Sequence, residues 1–435
     1  MNLVTTTDTL DGVIVMRKIV KPSKIGGEVK VPASKSHTIR ALIIGSLANG
    51  ESVVHNPLNS SDTHACISAC RAFGAEIQDE DPERWIIHGT GGQFQVPNQV
   101  IDIGNSGTTL YLILGLSALR EGWTVFTGDE QIRTRSAGPL LQSIGDLGGK
   151  AFSTRGNGCA PLVIGGTLRG GTTTIECPTS QYLSGLLLCT PLLPEKSCID
   201  VTLLNEQPYV EITLSWLDQQ GIRYRNESFK RFEIEPNQIY QRFDRRMTGD
   251  FSSATFFLCA AALSGCELTV LDLDMEDSQG DRAVVEHLRA MGCKITTGHS
   301  GIIVEPGELK GCDLDLNATP DALPALAVTA AYASGTTRLL NVPQARIKET
   351  DRIAVMAREL TKLGGQVAEL PDGLVVHGSG GLRSGVVDGH GDHRIVMALA
   401  IAGLGADGPV TIEDVEAVSV TFPNFFELLE SIRLK

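Results

Sequence analysis

Aromatic residues make up only 5% of the 435 positions, so the core, built from the 42% that are hydrophobic, must be largely aliphatic. No apolar run approaches the ~20 residues that a membrane span needs. Val13-Ile14-Val15 is likewise too short for the core of an export signal. Ten cysteines occur without the paired spacing of a metal site, and Cys66 and Cys70, four apart, suit one helix face better than a ligand pair. With no export signal they are expected to be reduced cytoplasmic thiols, and neither a metal nor a cofactor is expected. Bases are the scarcer charge, 37 Lys and Arg against 51 Asp and Glu. The resulting net charge of −14 argues against nucleic acid as a partner. On so acidic a chain, any local gathering of cations is informative.

What the sequence does contain is a repeat. A small polar residue opens an Ala- and Leu-rich helix at Ser36, Ser106, Ser180, Ser253, Asp321 and His393, at intervals of 70, 74, 73, 68 and 72 residues. A helix end running through Gly into a short strand keeps the same beat at Gly74, Gly148, Gly221, Gly292 and Gly364. Fixed self-similarity means one supersecondary unit used repeatedly, here of about 72 residues. Read closely, the fourth copy gives a helix over 254–263, a strand over 267–271, a helix over 282–291, and strands over 294–296 and 301–304, with another strand before the next helix. That order predicts an α/β fold with buried apolar helices. The sixth copy stops short of its closing Gly, so its missing strand is expected from the N-terminus. The expected domains are 13–33 plus 249–435, containing both termini, and 34–248. Residues 1–12 are expected to be a disordered, dispensable tail, with Met16 an alternative start.

Charge collects at the helix openings, where free N–H groups and the positive dipole end favour anions. Lys35-Ser36-His37-Thr38-Ile39-Arg40 puts Lys35, Ser36 and Arg40 on adjoining turns. Gly104-Asn105-Ser106-Gly107 suits close backbone approach to an anion. Arg133 and Arg135 follow in a polar loop, and Thr179-Ser180-Gln181 gathers three hydrogen-bonding groups. The densest run is Arg346-Ile347-Lys348-Glu349-Thr350-Asp351-Arg352, where Lys348 and Arg352 are expected on one helical face. Asp392-His393-Arg394 adds a cation at the sixth opening. The cations Lys35, Arg40, Arg135, Lys348, Arg352 and Arg394, with the carboxylates Asp321 and Glu349, suit two anionic substrates and acid–base chemistry.

These residues also resemble a family. Ser34-Lys35-Ser36 with Arg40, Gly104-Asn105-Ser106-Gly107-Thr108, Ser180-Gln181, Pro208-Tyr209, Gly249-Asp250-Phe251-Ser252-Ser253-Ala254, Pro320-Asp321, Arg346 to Arg352, Asp392-His393-Arg394 and Phe422-Pro423 are similar to the motifs of 3-phosphoshikimate 1-carboxyvinyltransferases, the EPSP synthases, over about 16–426. The resemblance implies two domains of three βαβαββ units each. It implies transfer of the enolpyruvyl group of phosphoenolpyruvate to the 5-hydroxyl of shikimate 3-phosphate, by addition and elimination, in a monomer that needs no nucleic acid or membrane. By the same resemblance, Lys35, Ser36, Arg40, Thr179, Ser180, Gln181, Tyr209, Asp321, Gln344 and Lys348 would hold shikimate 3-phosphate. Lys35, Gly107, Arg135, Gln181, Arg352 and Arg394 would hold phosphoenolpyruvate. Glu349 would be the acid and Asp321 the base, with Lys35 steering both.

The chain departs from the family pattern at several of its motifs. Leu110-Tyr111-Leu112 replaces Met-Arg-Pro, and Ser136 replaces a Pro. Glu206 stands where a Ser usually helps hold the phosphate, Gln344 where an Asn is usual, and Val420 where a Lys contributes a cation. These changes leave open a related enolpyruvyl transferase with another hydroxyl acceptor. The amino-sugar version relies on a loop Cys and lacks the full motif set. A non-catalytic relative would be expected to lose Glu349 or Asp321, and both are present.

Overall fold

The structure, a computed structural model, describes residues 3–10, 13–298 and 301–434, with side chains from residue 16 onward. The chain divides into two units, a split unit of Met1–Pro32 with Thr248–Lys435 and a central unit of Ala33–Met247. The cuts expected after residues 33 and 248 each lie one residue further along.

Each unit carries three four-stranded sheets on one plan. In one of them, Ile101–Asp102 runs parallel to Trp123–Thr127, Trp123–Thr127 pairs antiparallel with Leu162–Gly166, and Leu162–Gly166 pairs with Gly149–Ser153. A parallel pair needs a crossover, and a helix supplies it. The helices in this place are α1 (Lys35–Leu47), α3 (Gly107–Ile113) and α5 (Gln181–Cys189) in the central unit, and α7 (Phe251–Ser264), α9 (Leu323–Tyr332) and α11 (His393–Gly405) in the split unit. Of these, α3, α5, α9 and α11 cross over within one sheet, whereas α1 and α7 enter strands whose parallel partners come from distant sequence. A second helix follows the next strand each time: α2 (Ser61–Ala72), α4 (Gly138–Asp146), α6 (Gln207–Gln219), α8 (Val284–Ala290), α10 (Arg352–Lys362) and α12 (Phe425–Ser431). These six helices are apolar nearly all round because they are inside; α7 buries 13 of its 14 residues. Small residues let them approach closely. A Cβ on Gly185 of α5 would lie 2.2 Å from the Tyr111 carbonyl of α3.

Three sheets borrow strands from distant sequence. Asp244–Arg246 joins Asn49–His55, and Gly27–Lys30 joins Leu268–Leu271. In the last sheet, Gly385–Asp388 and Val410–Glu413 are completed by Val13–Val20 and then Leu3–Leu10. The N-terminus therefore supplies two strands, and the expected disordered tail over 1–12 is corrected for 3–10, which form the edge strand. Its Thr-rich, β-branched composition suits a pleated edge and lacks the apolar alternation that marks a half-buried strand.

Helix starts also shift. Asp250 caps α7 three residues before Ser253, by accepting from Ser253 N–H. Lys348 and Arg352 do not share a helical face: Pro343–Ile347 is a short 3₁₀ turn, and α10 begins only at Arg352, behind the N-cap Asp351. All ten cysteines are free, seven of them buried. Among the described residues, no helix is long and apolar enough to cross a membrane.

Candidate active site

In the central unit, the openings of α1, α3 and α5 carry the expected residues. Lys35 Nζ lies 3.0 Å from Asp62 Oδ2 of α2. Arg40, one turn into α1, is 1% exposed and bonds only neutral groups among its described hydrogen bonds. Its Nε donates to Thr213 Oγ1 at 2.9 Å, Nη1 to the Ser36 carbonyl at 3.0 Å, and Nη2 to the Tyr209 carbonyl at 3.0 Å and Ser184 Oγ at 3.5 Å. Burial lowers its pKa to about 10, which still leaves it cationic at neutral pH. Arg40 thus ties α1 to α5 and α6.

At α3, a Cβ on Gly107 would lie 2.8 Å from Arg135 Nη1, so glycine is what lets the guanidinium lie against this helix start. Arg135 Nη2 reaches Gln131 Oε1 at 3.4 Å, and Asn105 Nδ2 donates to Asp129 and Gln131 at 2.6 Å each. Arg133 bonds the Gly128 carbonyl instead. Two of the departures meet here. Tyr111 and Tyr182 hydroxyls both donate to the Ser136 carbonyl, while Ser136 Oγ accepts from Gly138 N–H at the start of α4.

Gln181 Nε2 donates to Thr108 Oγ1 at 3.0 Å, joining the openings of α5 and α3. Beside it, one oxygen of Glu206 takes three donors: Ser180 Oγ at 2.9 Å, Ser180 N–H at 3.3 Å and Thr179 Oγ1 at 3.3 Å. Glu206 is 1% exposed and has a left-handed backbone, φ +58°.

In the split unit the charges converge on Arg352, itself 1% exposed. Its Nε donates to Asp392 Oδ2 at 2.7 Å, Nη1 to Asp321 Oδ1 at 2.7 Å, and Nη2 to Glu349 Oε2 at 2.5 Å and Asp392 Oδ1 at 3.2 Å. Arg394 Nη2 lies 2.9 Å from Asp321 Oδ2. Burial pushes the Asp321 carboxyl up, but Arg394, Lys348 and Arg352 outweigh it and hold the group far below the usual carboxylate range. Gln344 Nε2 donates to the Asn317 carbonyl at 2.9 Å, and its buried Oε1 has no hydrogen-bond partner among the described residues. Arg346 bonds Asp351, Glu369 and two carbonyls, and so anchors the segment.

Asp392, present in the sixth opening but given no role from the sequence, is the residue that joins these groups. It is fully buried, caps α11 by accepting from Arg394 N–H at 2.9 Å, and holds both Arg352 and Thr350. Its position just before an apolar helical run was the available signal. The opening of α7, by contrast, is satisfied internally, with Asp250 taking Ser253 and Asp281 taking Ser252.

Six four-stranded sheets on one plan, three in each unit, form the repeated architecture of the enolpyruvyl transferases. The family model described as EPSP synthase (3-phosphoshikimate 1-carboxyvinyltransferase) matches residues 19–429. The 3-phosphoshikimate 1-carboxyvinyltransferase of Ruminiclostridium cellulolyticum is 53% identical over 412 residues, 95% of this chain and 97% of that one. That of Methanocella arvoryzae is 45% identical over 420 residues, 96% and 98% of the two chains. The EPSP synthase structure from Acinetobacter baumannii superposes with a TM-score of 0.82 at 27% identity, covering 96% of this chain and 98% of that chain. This chain belongs to the EPSP synthase family.

Proposed function

We propose that the enzyme transfers the enolpyruvyl group of phosphoenolpyruvate to the 5-hydroxyl of shikimate 3-phosphate, releasing phosphate, as a step of the shikimate pathway toward chorismate and the aromatic amino acids. Relatives up to 53% identical that bear the matching name support the reading. The observation that carries it is the Glu349–Arg352–Asp321–Arg394 chain of ion pairs, two carboxylates held among cations. Lys35, Gly107, Arg135, Gln181, Arg352 and Arg394 hold phosphoenolpyruvate. Lys35, Ser36, Arg40, Thr179, Ser180, Gln181, Tyr209, Asp321, Gln344 and Lys348 hold shikimate 3-phosphate.

The chemistry follows from competition for the cations. An arriving anion takes up Arg352, which frees Glu349 to carry a proton to the methylene carbon. The same neutralisation raises the proton affinity of Asp321, which as it stands is too low for an effective base toward a hydroxyl. Lys35 assists both transfers. The reading includes a monomeric cytoplasmic enzyme that uses neither metal nor cofactor. Phosphate release that requires both substrates, with a product heavier than the acceptor by one enolpyruvyl group, tests it. Release with another hydroxyl acceptor and none with shikimate 3-phosphate would replace it.

A further inference from the structure

The N-terminus of α5 already holds an anion, and that anion belongs to the chain. Three donors from Thr179 and Ser180 meet on Glu206 Oε2, within 2.9–3.3 Å. These are two of the groups assigned above to shikimate 3-phosphate, and Glu206 stands where the family pattern has a serine that helps hold the phosphate. The carboxylate is held in place from its own side as well. Glu206 sits in left-handed backbone immediately before α6, a conformation costly for a residue with a Cβ. The same turn brings Tyr209, whose carbonyl accepts from the buried Arg40.

A phosphate and a carboxylate cannot share these donors. At hydrogen-bonding range in a buried site, two like charges repel strongly enough that one must leave or be neutralised. From this geometry we infer that Glu206 is a tethered competitor for the acceptor's phosphate group: it fills the subsite in the free enzyme and is displaced when the phosphorylated acceptor binds. Glu206 then sets acceptor affinity. It does so selectively, because an acceptor without a phosphate leaves the carboxylate on Thr179 and Ser180. Shikimate, lacking the phosphate, is the matching control ligand.

The inference rests on the reading of shikimate 3-phosphate as acceptor, so wild-type turnover with that substrate is established first; its absence would dispose of the functional reading, not of Glu206 alone. Binding of shikimate 3-phosphate and of shikimate is then titrated calorimetrically against wild type, Glu206→Ser and Glu206→Gln. Glu206→Ser should tighten shikimate 3-phosphate about ten-fold or more, the worth of one charge-assisted hydrogen bond, and leave shikimate unchanged. Glu206→Gln, which keeps the accepting oxygen and loses the charge, should give a smaller gain of the same selectivity and covers the case in which the serine variant fails to fold. Unchanged or weaker shikimate 3-phosphate binding in a folded variant, or an equal change for both ligands, would overturn the inference and leave Glu206 a structural clasp between α5 and α6.

Discussion

Arg352 spends its donors on three carboxylates, and one of them, Asp392, has no exposed surface. Breaking a buried pair by neutralising one partner costs about 3–5 kcal/mol, because the other charge is left uncompensated. Asp392→Asn should therefore lower the denaturant midpoint sharply and disorder the Arg352 fork, reducing turnover too; an unchanged midpoint in urea would deny Asp392 its place as the hub. At Val420 the account runs the other way. The residue is only half-buried, so a lysine there can run its stem along the surface and keep its ammonium in water. Val420→Lys should tighten phosphoenolpyruvate by about 10-fold to 150-fold, the range for one charged hydrogen bond, and leave shikimate 3-phosphate little changed in a calorimetric titration. Unchanged phosphoenolpyruvate binding would mean that another cation already serves that position.

The placing of the reactive groups depends on how neighbouring elements are tied. Glu359, two turns along α10 from Arg352, is buried and accepts from Lys362 at 2.7 Å and from Asp388 N–H at 3.0 Å, with His390 Nε2 2.9 Å away. It clamps α10 to the segment that leads into Asp392 and Arg394. Burial pushes its carboxyl up, but the hydrogen bonds from His390, Lys362, Asp388 N–H and Arg358 prevail and bring it down to about 2 from an ordinary 4.5. A depressed folded-state pKa contributes stability above the unfolded value, and this contribution fades as pH falls through the interval between them. The difference in stability between wild type and Glu359→Gln should be about 3 kcal/mol above pH ~4.5 and close toward pH 2. Urea midpoints of both proteins across that range read it directly, and a gap independent of pH would contradict it.

Elements of this kind were only partly legible in the sequence. The helix openings and the Gly-to-strand beat are local signals, so the six units could be counted, and the borrowed strand was inferred from the shortfall at the C-terminus. What escaped were contacts between distant residues. Glu206 meets Ser180 across 26 positions and Arg352 meets Asp392 across 40, and no periodicity reports such pairs. The non-helical segment between Ile347 and Arg352 escaped too, because its charge spacing mimics a helical face.

At the scale of the whole molecule, the split unit depends on strands from both chain ends. Leu3–Leu10 pairs only with Val13–Val20 among the described strands, whereas Val13–Val20 also pairs with Val410–Glu413 and carries the fully buried Val20. Removing residues 1–12 should leave folding and turnover largely intact and lower the melting temperature slightly. Removing 1–20 opens the sheet and the core and should abolish cooperative unfolding of the split unit in calorimetry. Equal stability of the two truncated proteins would refute this division of labour. The claim on which the whole account turns is that Glu349 carries the proton while the surrounding cations carry the binding. Glu349→Gln removes no cation and takes away a competitor for Arg352, so titration should find both substrates bound at least as tightly as in wild type. Single-turnover phosphate release should meanwhile fall by about 10² to 10⁴, the loss expected for a missing proton donor. Release at a near wild-type rate by a Glu349→Gln enzyme that binds both substrates would contradict the account.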